Sequence, residues 1–210
     1  MFTGIIEEVG SVRAIRRGSS EAKIVVACSK VLGRTGSLGG GHLRGPETAI
    51  GDSIAVNGVC LTVTAMDGGT FTADVMPETF SRSALSELRP GSPVDLERAM
   101  AADGRFGGHF VSGHIDGTGR IEKLARDGNA VWFTIAAEDS LMRYIVTKGS
   151  IAIDGISLTV AETGAGFFKV SIIPHTLAET ALSGKTAGSR VNLETDIIGK
   201  YVEKLLGGTK

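Results

Sequence analysis

Apolar and polar positions alternate with a period of two through much of the chain. Ser53-Ile54-Ala55-Val56 and Val59-Cys60-Leu61-Thr62-Val63-Thr64 read as two strands around Asn57-Gly58. Asn-Gly between apolar runs is a strong hairpin signal, because both central residues of the tight turn need positive φ. Asp154-Gly155 gives the same signal further on, and Asp67-Gly68-Gly69 and Thr163 to Gly166 mark further turns. Thr70 to Val75 and Phe167 to Ile172 follow as strands. Pro77 and Pro174 then interrupt pairing, and short helices are expected from Thr79 to Glu87 and from Thr176 to Ser183. Pro90-Gly91 and Gly188-Ser189 turn the chain into two last strands. Only the tail changes period: Ile197, Ile198, Tyr201, Val202 and Leu205 form an apolar stripe at helical spacing. Asp196 is placed to cap that helix and Gly207-Gly208 to stop it.

These elements occur twice. GDSIAVNGVCLTVT from Gly51 matches KGSIAIDGISLTVA from Lys148, MPETFSRSALS from Met76 matches IPHTLAETALS from Ile173, and GSPVDLE ending at Glu97 matches GSRVNLE ending at Glu194. The offset stays at 97 from Gly51/Lys148 to Glu97/Glu194. About two in five aligned positions are identical, too many for chance at one offset. Phe2-Thr3-Gly4-Ile5-Ile6 also resembles Val111-Ser112-Gly113-His114-Ile115, at an offset of 109. The first copy therefore carries about 12 extra residues, best placed at Arg34 to Gly45, which reads as a surface loop. A period near 100 residues is too long for a solenoid and indicates two domains of one fold, 1–98 and 99–195, with 196–210 as a C-terminal helix. About six strands and one short helix per copy fit a small closed all-β barrel, which leaves no strand edge exposed.

Composition removes several classes. Of 210 residues, 30 are glycine, as many turns require, and the net charge of −1 offers no electrostatic grip on nucleic acid. Aromatic residues make up 5%, too few for base-stacking platforms. No run approaches a membrane span and the start lacks a signal-peptide pattern, so the chain reads as soluble and cytoplasmic, with Cys28 and Cys60 as free thiols. No HxH, HExxH or CxxC appears, and an extended segment would put His109 and His114 on opposite faces; no metal site is expected. Gly39-Gly40-Gly41 is not followed by the Gly-Lys-Ser/Thr of a P-loop.

MFTGI at the start, NGVCLTV, GGHFVSGHIDG from Gly107, KGSIAIDGISLTV and IIPHTL, in this order within a duplication, resemble the riboflavin synthase family, α-chain type. The resemblance covers essentially the whole chain. It implies two tandem six-stranded Greek-key barrels. It implies a reaction between two molecules of 6,7-dimethyl-8-ribityllumazine, one giving a four-carbon unit to the other, with no cofactor. It also implies a homotrimer, with barrel one of a subunit facing barrel two of its neighbour and the C-terminal helices at the centre, and an association with lumazine synthase.

The same resemblance marks the substrate-contact segments. They are Gly4, Ile5 and Ile6 with Gly113, His114 and Ile115; Cys60, Leu61 and Thr62 with Ser157, Leu158 and Thr159; and Asp74, Val75, Met76, Pro77, Glu78 and Thr79 with Ser171, Ile172, Ile173, Pro174, His175 and Thr176. A flat pteridine needs an apolar slot with backbone and hydroxyl groups at its polar edge, and these residue types supply both. Leu61 and Leu158 serve equally well as core. Phe2, beside a contact loop, is expected either buried or against the ligand.

Proton loss from the substrate's 7-methyl group starts the chemistry. His109 and His114 are candidate proton shuttles, and Cys60 a nucleophile or hydrogen-bonding group. Ser53, Lys148 and Asp154 are weaker candidates, and Lys148 also counts among the contact residues. The copies differ at Cys60/Ser157, Asn57/Asp154, Glu78/His175 and Ile5/His114, where donor and acceptor roles would part. A lumazine- or flavin-binding antenna protein without turnover is the competing reading. The survival of CLTV, SLTV and Pro-x-Thr in both copies favours the enzyme.

Overall fold

A computed structural model describes residues 1–18, 21–33 and 48–207. The loop expected at Arg34 to Gly45 lies outside the described residues. The first barrel consists of β1 (Glu8–Arg17), β2 (Ala22–Ala27), β3 (Ser53–Val56), β4 (Val59–Asp67), β5 (Thr70–Val75) and β6 (Pro93–Arg98). They close antiparallel in the order β1-β2-β5-β4-β3-β6. The second consists of β7 (Gly117–Asp127), β8 (Ala130–Ala136), β9 (Ser150–Ile153), β10 (Ile156–Gly164), β11 (Phe167–Ile172) and β12 (Arg190–Thr195), closed in the same topology. The two hairpin turns form as the sequence requires, with Asn57 at φ 45 and Asp154 at φ 47 ahead of Gly58 and Gly155. Register shifts recur at matching places, between Val12 and Ala14 and between Ile121 and Lys123. They recur again between Val63 and Ala65 and between Val160 and Glu162. Such bulges sharpen the strand twist that barrel closure needs.

Each barrel has its own core: Ile24, Ile54, Phe71, Leu85 and Leu96 in one, Ile121, Phe133, Ile135, Phe168 and Leu193 in the other. A third, small cluster of Phe2, Ala55, Val111 and Ala152 lies between them. Here the two hairpin turns abut. A Cβ on Gly58 would stand 2.6 Å from the Gly155 nitrogen, so only glycine permits this approach.

The expected helices begin earlier and break. α1 (Pro77–Arg82) and α3 (Pro174–Ala178) each start on the proline, whose missing N–H costs nothing at the first helical position. Ser83 and Thr180 then turn extended, and 3-10 turns follow at Ala84–Glu87 and Ala181–Gly184. The break has a tertiary cause. The Ala84 N–H donates to Asn192 Oδ1 of the second barrel at 2.6 Å, and the Ala181 N–H to Asp95 Oδ1 of the first at 2.8 Å. Each half thus clasps the last strand of the other.

A short α2 (Asp139–Met142) precedes β9. α4 (Ile197–Leu205) has Asp196 as its cap, accepting from the Ile198 N–H at 3.0 Å. Glu203 ties it to Arg143 and Tyr144, and Lys200 to Asp116. Ile198, Tyr201, Val202, Leu205 and Leu206 remain exposed. Among the described residues no helix is long and apolar enough to cross a membrane.

Candidate functional site

Alternation along β4 and β5 sorts the first barrel's candidates. Leu61 and Val75 point into the core, whereas Cys60, Thr62, Asp74 and Met76 face outward. Ser53 on β3 pairs with Thr62 and joins this face. The second barrel repeats it: Ser157, Thr159, Ser171 and Ile173 lie outward, Ile172 inward, and Leu158 against the core. Pro77, Glu78 and Thr79, with Pro174, His175 and Thr176, form the adjoining rim at the starts of α1 and α3.

The loop that walls each face comes from the other copy. Gly113 lies over Cys60, whose N–H donates to the Gly113 carbonyl at 2.9 Å; a Cβ on Gly113 would be 2.5 Å from Cys60 Cβ. Gly4 lies over Ser157 in the same way, with the Ser157 N–H donating to the Gly4 carbonyl at 2.8 Å. Ile115 packs on the first barrel's core and Ile6 on the second's. Half-site one therefore holds Cys60, Thr62, Ser53, Asp74 and Met76 under Gly113-His114-Ile115. Half-site two holds Ser157, Thr159, Ser171 and Ile173 under Gly4-Ile5-Ile6. Pairing residues by their place in the repeat does not reveal this exchange.

The histidines divide between the two half-sites, on a segment that bends at Gly113 rather than running extended. His114 is exposed over half-site one. His109 is buried beside half-site two, with Nδ1 2.7 Å from the Ser157 hydroxyl and Nε2 without a partner among the described residues. Burial lowers the His109 pKa, with the Asp196 charge opposing, which favours the neutral ring. Ile5 is exposed over Gly107, in the segment whose Phe106 and Phe110 rings meet at a tilt of 54° with centroids 4.7 Å apart.

Three candidates stand elsewhere. Phe2 is fully buried in the cluster between the barrels and supports Gly113 from beneath. Lys148 is exposed on the loop entering β9, with φ 70. Asp154 is fully buried in the junction turn, where it accepts from the Asn192 N–H at 2.8 Å and pairs with Lys185 at 2.9 Å. That placement gives Asp154 a structural task. Both cysteines are free thiols, and burial, with the Glu8 charge, pushes Cys28 up to about 12, against its thiolate. No group of three His, Cys, Asp or Glu side chains among the described residues is arranged to hold a metal ion.

Two residues absent from the sequence-based candidates complete the geometry. Glu97 on β6 accepts from the Thr3 N–H and hydroxyl and the Gly4 N–H; Glu194 on β12 accepts from the Ser112 N–H and hydroxyl and the Gly113 N–H. Desolvation raises the Glu97 carboxyl above its ordinary range, and the donors from Thr3 and Gly4 oppose it. Their only sequence signal is that each closes a matched block of the repeat. Both half-sites are open faces. Two clefts among the described residues lie elsewhere, one lined by Leu124, Arg126, Phe133, Leu177 and Lys185 and one by Thr118, Glu138 and Arg190.

The lumazine binding domain family matches the chain twice, over residues 3–99 and 112–196. The riboflavin synthase of Actinobacillus pleuropneumoniae is 54% identical over 206 residues, covering 98% of this chain and 90% of that protein. Those of Mycobacterium tuberculosis, at 49% with 98% of each chain covered, and Bacillus subtilis, at 47% with 98% and 90% covered, are similar throughout. The fold also matches crystal structures of LumP complexed with 6,7-dimethyl-8-(1'-D-ribityl) lumazine and with riboflavin. Their TM-scores are 0.78 and 0.81 at 22% identity, with 93% of this chain and 99% of theirs covered. With two family matches over two like barrels, and full-length relatives near half identity, this chain belongs to the riboflavin synthase family of paired lumazine-binding domains.

Proposed function

We propose that the chain is a riboflavin synthase whose two half-sites each hold one 6,7-dimethyl-8-ribityllumazine. One molecule transfers a four-carbon unit to the other, giving riboflavin and 5-amino-6-ribitylamino-uracil. The two products contain the atoms of two substrate molecules, so the transfer balances without an outside oxidant, reductant or cofactor. The observation that carries this reading is a pair of half-sites with one geometry and unlike chemistry. One offers Cys60 with an exposed His114. The other offers Ser157 with a buried, neutral His109 and an apolar Ile5 wall.

A reaction between two copies of one molecule needs likeness for binding and difference for assigning donor and acceptor. Holding the two rings in attack geometry can contribute ~7–11 kcal/mol. A neutral imidazole at a half-site can accept the 7-methyl proton and later return it.

Open half-sites and the uncovered stripe of α4 support a homotrimer, barrel one of each copy facing barrel two of the next. A flavin- or lumazine-binding protein without turnover needs only one working half-site, and the persistence of CLTV, SLTV and Pro-x-Thr in both copies supports the enzyme. Riboflavin formation from the lumazine alone tests the chemistry. Complementation tests the arrangement: Thr62→Trp blocks half-site one and Thr159→Trp half-site two, each abolishing turnover. Subunit exchange between the two variants should restore it in part.

A further inference from the structure

We infer that Glu97 and Glu194 are positioning residues that act crosswise, each holding from its own barrel's last strand the loop that walls the other barrel's half-site. The inference rests on the reading above only for the identity of the ligand.

Glu97 belongs to barrel one, yet its carboxylate fixes Thr3 and Gly4, at 2.8 and 2.9 Å from the Thr3 nitrogen and hydroxyl and 3.0 Å from the Gly4 nitrogen. Gly4 then accepts from the Ser157 N–H of barrel two at 2.8 Å, and the Thr3 carbonyl accepts from the His109 N–H at 3.1 Å. Both backbones that carry the His109–Ser157 pair thus end on one carboxylate. Glu194 of barrel two does the same for half-site one. It holds Ser112 at 2.6 and 2.7 Å and Gly113 at 2.9 Å. The Gly113 carbonyl accepts from the Cys60 N–H at 2.9 Å, and the Ser112 hydroxyl accepts from the His114 N–H at 3.2 Å.

The donors are the reason for a carboxylate. Three N–H and O–H groups converge on each, and only an acceptor with two oxygens and no hydrogen satisfies all of them. A glutamine keeps the shape but turns an NH2 toward one of these donors. The crossing segments are anchored on either side of these glycines, by the Phe2–Val111 backbone bridge and by Ile6 and Ile115 on the barrel cores, while Gly4 and Gly113 themselves contribute no side chain and depend on the carboxylates for their N–H groups. A change in barrel one should therefore be felt at the half-site of barrel two, and the reverse.

Glu97→Gln and Glu194→Gln test this in the full-length protein, with Thr3→Ala and Ser112→Ala as milder changes that remove one donor each. The first readout needs no ligand: amide hydrogen exchange at Ser157 and Cys60. Glu97→Gln should speed exchange at Ser157 about tenfold or more and leave Cys60 unchanged, and Glu194→Gln should do the opposite. The alanine variants should show the same pattern, weaker. The second readout is turnover of 6,7-dimethyl-8-ribityllumazine, which should fall in both glutamine variants, with kcat affected more than KM. Equal loosening of both amides, loosening confined to the mutated residue's own barrel, or no change at either amide would overturn crosswise positioning. Crosswise exchange in a protein that does not act on the lumazine would leave the positioning standing and remove the functional reading instead.

Discussion

The His109 imidazole Nδ1 and the Ser157 hydroxyl, 2.7 Å apart, join the segment between the barrels to the outward face of the second barrel. The serine is the only partner the buried ring has among the described residues, because Nε2 has none. Ser157→Ala should therefore cost about 1–3 kcal/mol by orphaning the ring, and Cys60→Ala at the matching position should cost less. The pH dependence follows from burial. The folded-state pKa of His109 lies below its ordinary value, so the unfolded chain binds the extra proton first. Stability is complete above about pH 6.5 and declines as pH falls from there through the lowered folded pKa. Urea unfolding of wild type and His109→Gln between neutral and mildly acidic pH checks this. The variant should lose that part of the slope.

Gly4 and Gly113 sit at φ 78 and 81, and a Cβ on either would overlap the residue beneath it. Gly4→Ala should destabilise by about 1–3 kcal/mol and weaken ligand binding at half-site two, and Gly113→Ala should do so at half-site one. Thermal unfolding and ligand titration of the two variants measure both effects.

Asp95 is the odd member of the junction between the barrels. Asn192, its counterpart, donates from Nδ2 to the Asn57 carbonyl at 2.8 Å, whereas Asp95 Oδ2 is buried with no partner among the described residues. A protonated Asp95 would supply the matching donor. Burial pushes Asp95 up to about 8, and Asp154 adds to the rise, while the Ala181 N–H and Lys185 oppose it. An unfolded Asp titrates near ~3.9, so between there and about 8 the folded state holds the extra proton. Stability should fall as pH rises through that window, by at most about 1.4 kcal/mol per pH unit, and level off above it. Asp95→Asn should remove this slope and be at least as stable as wild type at pH 9. An unchanged slope in denaturant titrations would contradict the assignment.

Tyr201 and Leu205 are 65% and 84% exposed on a helix whose opposite side is already tied to barrel two. Sedimentation should find three copies for the wild type and one for Tyr201→Glu/Leu205→Glu, with strand content kept and turnover lost. Full turnover by a monomeric variant would show that half-sites need not meet across copies.

The barrels were legible because the hairpin turns, the alternation and the duplication all point to the same strands. The helix breaks at Ser83 and Thr180 were not, since their cause is a hydrogen bond to the other barrel, which no local pattern carries. The same holds for the site. The family resemblance named Cys60, Ser157, His109 and His114 as candidates, but which loop covers which barrel depends on Gly4 and Gly113 crossing between domains. Asp154 resembled a catalytic carboxylate in a well-matched block, and its burial beside Lys185 is visible only in three dimensions. Glu97 and Glu194 passed as block ends because their work lies some 80 to 95 residues away along the chain.

The most direct measurement of the central claim is the stoichiometry of turnover with 6,7-dimethyl-8-ribityllumazine as the sole reactant, without added metal or cofactor. The account predicts one riboflavin for every two lumazines consumed, with the ribitylamino-uracil appearing in equal amount. Tight binding of the lumazine with no riboflavin formed would contradict it and make the paired barrels a binding module.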